Sequence, residues 1–198
     1  MKKQPERTAA TRSAFVDAFI SISESRPIEK ITIQEIADKA GYNRTTFYQY
    51  FEDTFHLLSY MEDYIISYIQ ESIVTRIGRI PAEEKFVQLF TEMYRENNKY
   101  LKVLFNSVNY HRFEQKLKRI LTPAFEQQIG LTLDNVQADY IIDFYLSGMI
   151  SIIAKWITSE DLSVEEFAQL VRRIVEGMSK GILTSEMVPP RLQLTRHG

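Results

Sequence analysis

Apolar residues recur at intervals of three and four along almost the whole chain, and no stretch alternates residue by residue, so the pattern predicts an all-α protein. Ala14, Phe15, Ala18, Phe19 and Ile22 define a first amphipathic helix from about Thr8 to Ser25, stopped by Arg26-Pro27. Ile33, Ile36, Ala37 and Ala40 share the face of a second, and Phe47, Tyr50 and Phe51 that of a third. Asp53 can cap a long fourth helix reaching about Ile77, with Phe55, Leu58, Met61, Ile65, Tyr68, Ile69 and Ile73 as its stripe. Gly78 and Pro81 mark its end and the next start. Helical spacing then continues through Phe86, Leu89, Phe90 and Met93, through Tyr100, Leu101, Leu104 and Phe105, and through Phe113, Leu117, Ile120 and Leu121. Pro123 should kink or restart its helix, and 130–134 reads as a loop. From Asp134 onward Ile141, Ile142, Phe144, Tyr145, Met149, Ile152, Ile153 and Trp156 leave little polar face, so that helix needs burial on two sides. The last helix opens at the capping box Ser163-Val164-Glu165-Glu166 and carries Phe167, Leu170, Val171, Ile174, Val175 and Met178.

The segment from Thr32 to Phe51 organises the rest. Thr32 is a favourable N-cap with Glu35 three residues on, so a helix should begin at Ile33. Gly41 can take the left-handed conformation that ends it, and Asn43 caps the next helix. That second helix is short, with Arg44, Thr45, Thr46, Tyr48 and Gln49 outward and aromatic residues inward. Such a helix can enter a major groove N-terminus first, where arginine reads guanine and Gln49 can read adenine. A helical hairpin within a plain core has the same periodicity.

Composition narrows the classes. The 198 residues fit one large or two small domains, 44% hydrophobic, with no cysteine for disulfides or thiolate metal sites. No apolar signal region stands at the N-terminus and no run of about 18 apolar residues suggests a span, so a cytoplasmic protein without membrane partners is expected. A net charge of -2 argues against indiscriminate nucleic-acid binding, and any basic patch must be local. Lys2, Lys3, Arg7 and Arg12 face only Glu6 in the first twelve residues, as either a solvated terminus or a weak phosphate-binding arm.

Residues 8–58, with Ile33, Ile36, Ala37, Ala40-Gly41, Thr46, Phe47-Tyr48 and Tyr50-Phe51 in order, closely resemble the N-terminal domain of the tetracycline-repressor (TetR) family. The resemblance implies a homodimeric transcription regulator, in most members a repressor, whose C-terminal domain takes a small ligand that alters the spacing of two DNA-reading heads. It implies DNA contacts from Thr32 and Gln34 on the first motif helix, and from Asn43, Arg44, Thr45, Thr46, Tyr48 and Gln49 on the second. Family members usually carry a lysine at the start of the following helix; Thr54 stands there, which weakens that phosphate anchor. The C-terminal half, from Tyr100-Leu101 through Phe144 to Gly148 and on to Lys155-Trp156-Ile157, resembles a branch that includes a regulator of dihydroxyacetone metabolism working with a kinase-like protein partner. The signal can thus be a protein.

The expected organisation is a DNA-binding head at 1–52, a sensing and dimerisation body at 53–185 and a tail at 186–198. Tyr64, Phe86, Phe90, Tyr94, Phe105, Phe113 and Phe144 are candidates to line a site for a small apolar or aromatic ligand, or else to fill the core. Tyr145, Gly148, Met149, Ile152, Trp156, Val171, Ile174 and Met178 are candidates for the dimer interface, or for the monomer's own core. His56, His111 and His197 lack metal-ligand spacing, and phosphate-loop and nucleophile-elbow motifs are missing, so neither a metal, a cofactor nor catalysis is expected.

Overall fold

The computed structural model of the protein describes residues 5–76, 82–107, 110–129, 136–159 and 161–183. These residues form α1 (Pro5–Ser23), a 3-10 turn (Ile28–Lys30), α2 (Ile33–Lys39), α3 (Arg44–Tyr48), α4 (Thr54–Arg76), α5 (Ala82–Asn106), α6 (Tyr110–Ile129), α7 (Val136–Ser159) and α8 (Val164–Leu183), with no strand among them. The class is all-α, as the periodicity predicts.

The head closes around aromatic rings. Phe15, Phe19, Ile36, Phe47 and Phe51 are all at most 2% exposed, and Phe15 meets Phe47 edge-on with centroids 5.2 Å apart. Each such side chain contributes about 1.5–3 kcal/mol by leaving water, so α1 fixes the pose of α2 and α3 rather than merely adjoining them.

Asp53 Oδ1 accepts the His56 N–H at 2.7 Å and caps α4. The inward stripe of α4 differs from the expected one: Leu57, Leu58, Met61, Ile65 and Ile66 are buried, whereas Phe55 is 52% exposed. Phe55 lies in the first turn, beyond the packing of the body, while Leu57 and Ile66 widen the buried face. The Gly78–Pro81 boundary and the side chain of Ile73 lie outside the described residues.

The break in the body falls at Asn97, not at Pro123. Asn97 sits at φ -126° and ψ 15° inside α5, is 2% exposed, and its side-chain Nδ2 donates to the Met93 carbonyl at 3.1 Å. That carbonyl is the one the Asn97 N–H would use in a regular helix, so the side chain competes with the ladder. Pro123 is carried within one continuous α6.

Trp156 on α7 stacks on Phe167 of α8 at 4.4 Å and 5°, contacts Tyr94 of α5 at 4.4 Å, and donates its indole N–H to the Leu162 carbonyl at 2.8 Å. This cluster joins α5, α7 and α8. Ser163 and Glu166 form the expected capping box of α8, exchanging N–H bonds at 2.8 and 3.2 Å. Burial of α7 is one-sided: Ile142, Leu146, Met149, Ile150 and Ile157 face inward, while Val136, Tyr140 and Phe144 are 70–75% exposed. By length and composition alone Asp139–Ser159, mean hydropathy 1.4, is apolar enough to cross a bilayer, a test that the core helix of a soluble protein also passes. Its inner face is packed on the other helices, and the exposed Asp143 of the same helix pairs with Lys118 of α6 at 2.8 Å.

Candidate nucleic-acid interface

Local hydrogen bonds build the α2–turn–α3 unit. Thr32 Oγ1 accepts the Glu35 N–H at 3.3 Å, and the Glu35 carboxylate accepts from the Thr32 N–H at 3.0 Å and the Thr32 hydroxyl at 2.8 Å. Arg26 adds an ion pair to Glu35 at 2.8 Å. The Thr32 backbone bond first, then its hydroxyl and Arg26, lower the Glu35 pKa to about 2. Thr32 therefore spends its hydroxyl on the cap.

At the other end of α2, Gly41 has φ 76°. The Gly41 N–H bonds to Asp38 O at 3.1 Å and the Tyr42 N–H to Ala37 O at 2.9 Å, the paired bonds of a Schellman ending that needs the left-handed residue. Tyr42 then leans on Phe15 with centroids 5.3 Å apart, locking the turn to α1. Asn43 caps α3 by accepting from the Thr46 N–H at 2.8 Å and the Thr46 hydroxyl at 3.1 Å.

What remains on the outer surface is a compact polar set. Arg44, Thr45 and Tyr48 are exposed on α3 and Gln49 at its C-terminal cap, and Gln34 is exposed on α2. Arg44 Nη2 donates to the Tyr48 hydroxyl at 3.1 Å, and its guanidinium lies 5.8 Å from the centroid of that ring. Gln34 Nε2 donates to Asp38 Oδ1 at 2.7 Å, leaving its carbonyl oxygen as the outward group. Thr46 is half-buried.

Sequence reasoning missed three supporting residues. Asp38 orients Gln34, and the i,i+4 spacing was the available signal. Arg12 lies over the rings of Tyr50 and Tyr60 at 6.0 and 5.7 Å, clamping α1 to the start of α4. His56, two residues beyond Thr54, accepts the Glu52 N–H on Nδ1 at 3.1 Å, which leaves Nε2 as the other polar atom of the ring.

The expected ligand-lining aromatics do not converge. Phe90 and Tyr94 pack into the Trp156–Phe167 cluster, and Phe105 meets Tyr110 and Phe113, each with centroids 5.5 Å apart. Tyr64 is 45% exposed against Tyr100, whose pKa burial first and the Asp17 charge second raise to about 12. Phe144 is 72% exposed, and the Phe86 side chain lies outside those described. A cleft of about 570 Å³ opens elsewhere, between the end of α1 and α5, with Ile20, Arg26, Ile28, Lys99, Lys102 and Val103 on its walls.

The expected interface residues divide likewise. Trp156, Val171 and Met149 are 3%, 0% and 8% exposed within the protomer's own core and have little surface left for a partner. Tyr145, Ile152 and Ile174 are half-buried, Gly148 is exposed, and the Met178 side chain lies outside those described. Val136 and Tyr140 join Phe144 at four-residue spacing on the outward face of α7. Among the described residues no group of three acidic, histidine or cysteine side chains is placed to hold a metal.

Two family profiles match the chain: "Bacterial regulatory proteins, tetR family" over residues 17–61, and "Transcriptional regulator C-terminal region" over residues 82–177. No curated protein sequence matches. Among solved structures, a tetR-family transcriptional regulator from Streptomyces coelicolor superposes with TM-score 0.64 at 14% identity, covering 89% of this chain and 86% of that one. The dihydroxyacetone kinase operon activator DhaS gives 0.60 at 19% identity, covering 86% and 96%. The fatty acid degradation regulator FadR from Bacillus halodurans gives 0.60 at 13% identity, covering 88% and 96%. At these identities the likeness is one of fold.

Proposed function

Because the chain belongs to the TetR family of transcription regulators, with a DNA-binding helix-turn-helix, we propose that it acts in the cytoplasm as a homodimeric repressor of a palindromic operator. In this reading residues 1–52 form the reading head, 53–185 the sensing and dimerisation body, and 186–198 a tail. The observation that carries it is the exposed set Arg44, Thr45, Tyr48 and Gln49 on a helix whose other side is anchored by Phe47 and Phe51. Arg44 reads guanine and Gln49 adenine in the major groove, Gln34 adds a flanking contact, Tyr48 orients Arg44, and Asn43, Thr46 and Thr32 present the helix ends. His56 Nε2 takes the phosphate that the missing lysine leaves.

Dimerisation buries the outward face of α7, with Phe144, Tyr145, Gly148 and Ile152 and, from α8, Ile174. Two such protomers hold their α3 helices about 34–36 Å apart, one turn of B-DNA. A small apolar ligand that favours another spacing empties the operator, by no more than its differential affinity. The scattered aromatics of the body favour a second reading of the signal, a protein partner docking on the body, or a module without independent operator reading. DhaS is described as an operon activator, which keeps the sign of regulation part of the same question.

Sedimentation of the chain alone and with a selectively bound duplex tests the proposal. Two chains in both states, and two chains per duplex, are expected. A monomer in both states, or a lone chain bound to DNA, contradicts it.

A further inference from the structure

Glu62 is a carboxylate in the apolar interior of the body. It lies on α4 among the buried Leu58, Met61, Ile65 and Ile66 and is 1% exposed. Two cations one helical turn apart on α6 converge on it. Arg112 donates from Nη2 and Nε to Oε1 at 2.9 and 3.3 Å, and Lys116 Nζ stands 3.0 Å from Oε2 while donating to Asp63 Oδ1 at 2.6 Å. Burial opposes the charge on Lys116, but the bonds from Asp63 and Glu62 outweigh it and hold its pKa above the usual value. Half a turn beyond Lys116 on α6, Lys118 reaches Asp143 on α7, so one helix carries charged ties to both neighbours.

Stability is a poor explanation for this arrangement. Each buried ion costs several kcal/mol of desolvation, and apolar residues of the same volume often hold two helices at least as firmly. Apolar surfaces, however, tolerate small rotations, whereas a carboxylate shared by two cations at fixed spacing does not. Glu62 is eight residues beyond Thr54, roughly 12 Å along the helix axis. A tilt of about 10° around that point moves the start of α4, and α3 just before it, by roughly 2 Å.

We propose that Glu62, gripped by Arg112 and Lys116, is a positioning residue for operator reading: it holds the α4 lever at one angle to the body and so sets the half-site spacing that the paired heads accept. The proposal rests on the dimeric reading above. It adds the residue that determines the geometry.

The chain has no cysteine, so Lys39→Cys on α2 and Arg173→Cys on α8, both exposed, can be spin-labelled without background. Pulsed dipolar spectroscopy on labelled chains diluted into unlabelled ones then reads the head-to-body distance within a protomer. The native chain should give one narrow distribution. Glu62→Met should broaden or shift it by roughly 2 Å with an unchanged or higher Tm. It should also weaken binding at the native half-site spacing about tenfold and narrow the penalty for one inserted base pair. Should Glu62→Met not fold, Arg112→Met, at a partly exposed position, should give the same change in distance and spacing preference, with a lower Tm because it leaves the Glu62 carboxylate short of a partner. A native distance distribution and native spacing preference in the variant that folds would overturn the proposal. Failure of the native chain to select any duplex would overturn the operator reading instead, and the distances would still decide the role of Glu62.

Discussion

Loss of the Arg44 guanidinium should change which base is preferred, not how firmly the head folds. Arg44 and Tyr48 are exposed, so neither Arg44→Ala nor Tyr48→Phe should move stability by more than about 0.5 kcal/mol. A bidentate arginine–guanine contact is worth about 1–3 kcal/mol of discrimination, which corresponds to about 5- to 160-fold in Kd. Tyr48→Phe keeps the ring beneath the guanidinium and removes only the hydroxyl that receives Nη2 at 3.1 Å. Its effect is the loss of one exposed hydrogen bond that pre-orients Arg44, about 0.5–1 kcal/mol. Because the second change acts through the first, the double variant should be no weaker than Arg44→Ala alone. Fluorescence anisotropy on the preferred operator and on duplexes substituted at each position supplies the four affinities of the cycle. A uniform loss on every sequence with a smaller salt slope would make Arg44 a phosphate contact. Additive losses would refute the claim that Tyr48 acts by orienting it.

Four further outcomes follow from the structure. Gly41→Ala meets no atom within 4 Å, yet φ 76° is strained for any L side chain, so Tm should fall by the equivalent of about 1–2 kcal/mol; an unchanged Tm would mean that the turn relaxes freely. Glu35 has a folded pKa near 2 against 4.5 unperturbed, so its contribution is complete above pH 4.5 and fades as pH falls toward 2; Glu35→Gln should flatten the acid limb of the unfolding curve in that window, and an unaltered limb would contradict the assignment. Trp156→Ala should cost about 3–5 kcal/mol in denaturant unfolding because its ring is 3% exposed in the protomer core. Phe144→Glu, on an outward face, should instead leave the fold intact and yield monomers in sedimentation, and a persistent dimer there would place the interface elsewhere.

The head was legible because its signals are local. Thr32 with Glu35, Gly41, and Asn43 each act within four residues, and the structure shows each at its expected cap or turn. Signals that depend on tertiary context were misread. Phe55 fits the helical stripe of α4, but in the first turn no packed body lies against it, so periodicity alone assigns it inward. Asn97 breaks α5 because its own amide takes the Met93 carbonyl, a competition that an asparagine among polar neighbours does not announce. Glu62 stands between Met61 and Asp63 with no local sign of burial, and only Arg112 and Lys116, fifty or more residues away, hold it inward. On α7 the apolar run is plain, yet it cannot say which side meets its own core. Trp156 went inward and Phe144 outward.

Selection of bound duplexes from a random pool, followed by titration of the winners at several salt concentrations, tests the central claim most directly. The reading head predicts an inverted repeat with half-sites one helical turn apart. It also predicts a shallow salt slope, since Arg44 is the only cation on α3. Equal affinity for every duplex, lost steeply with salt, would contradict operator reading by this chain.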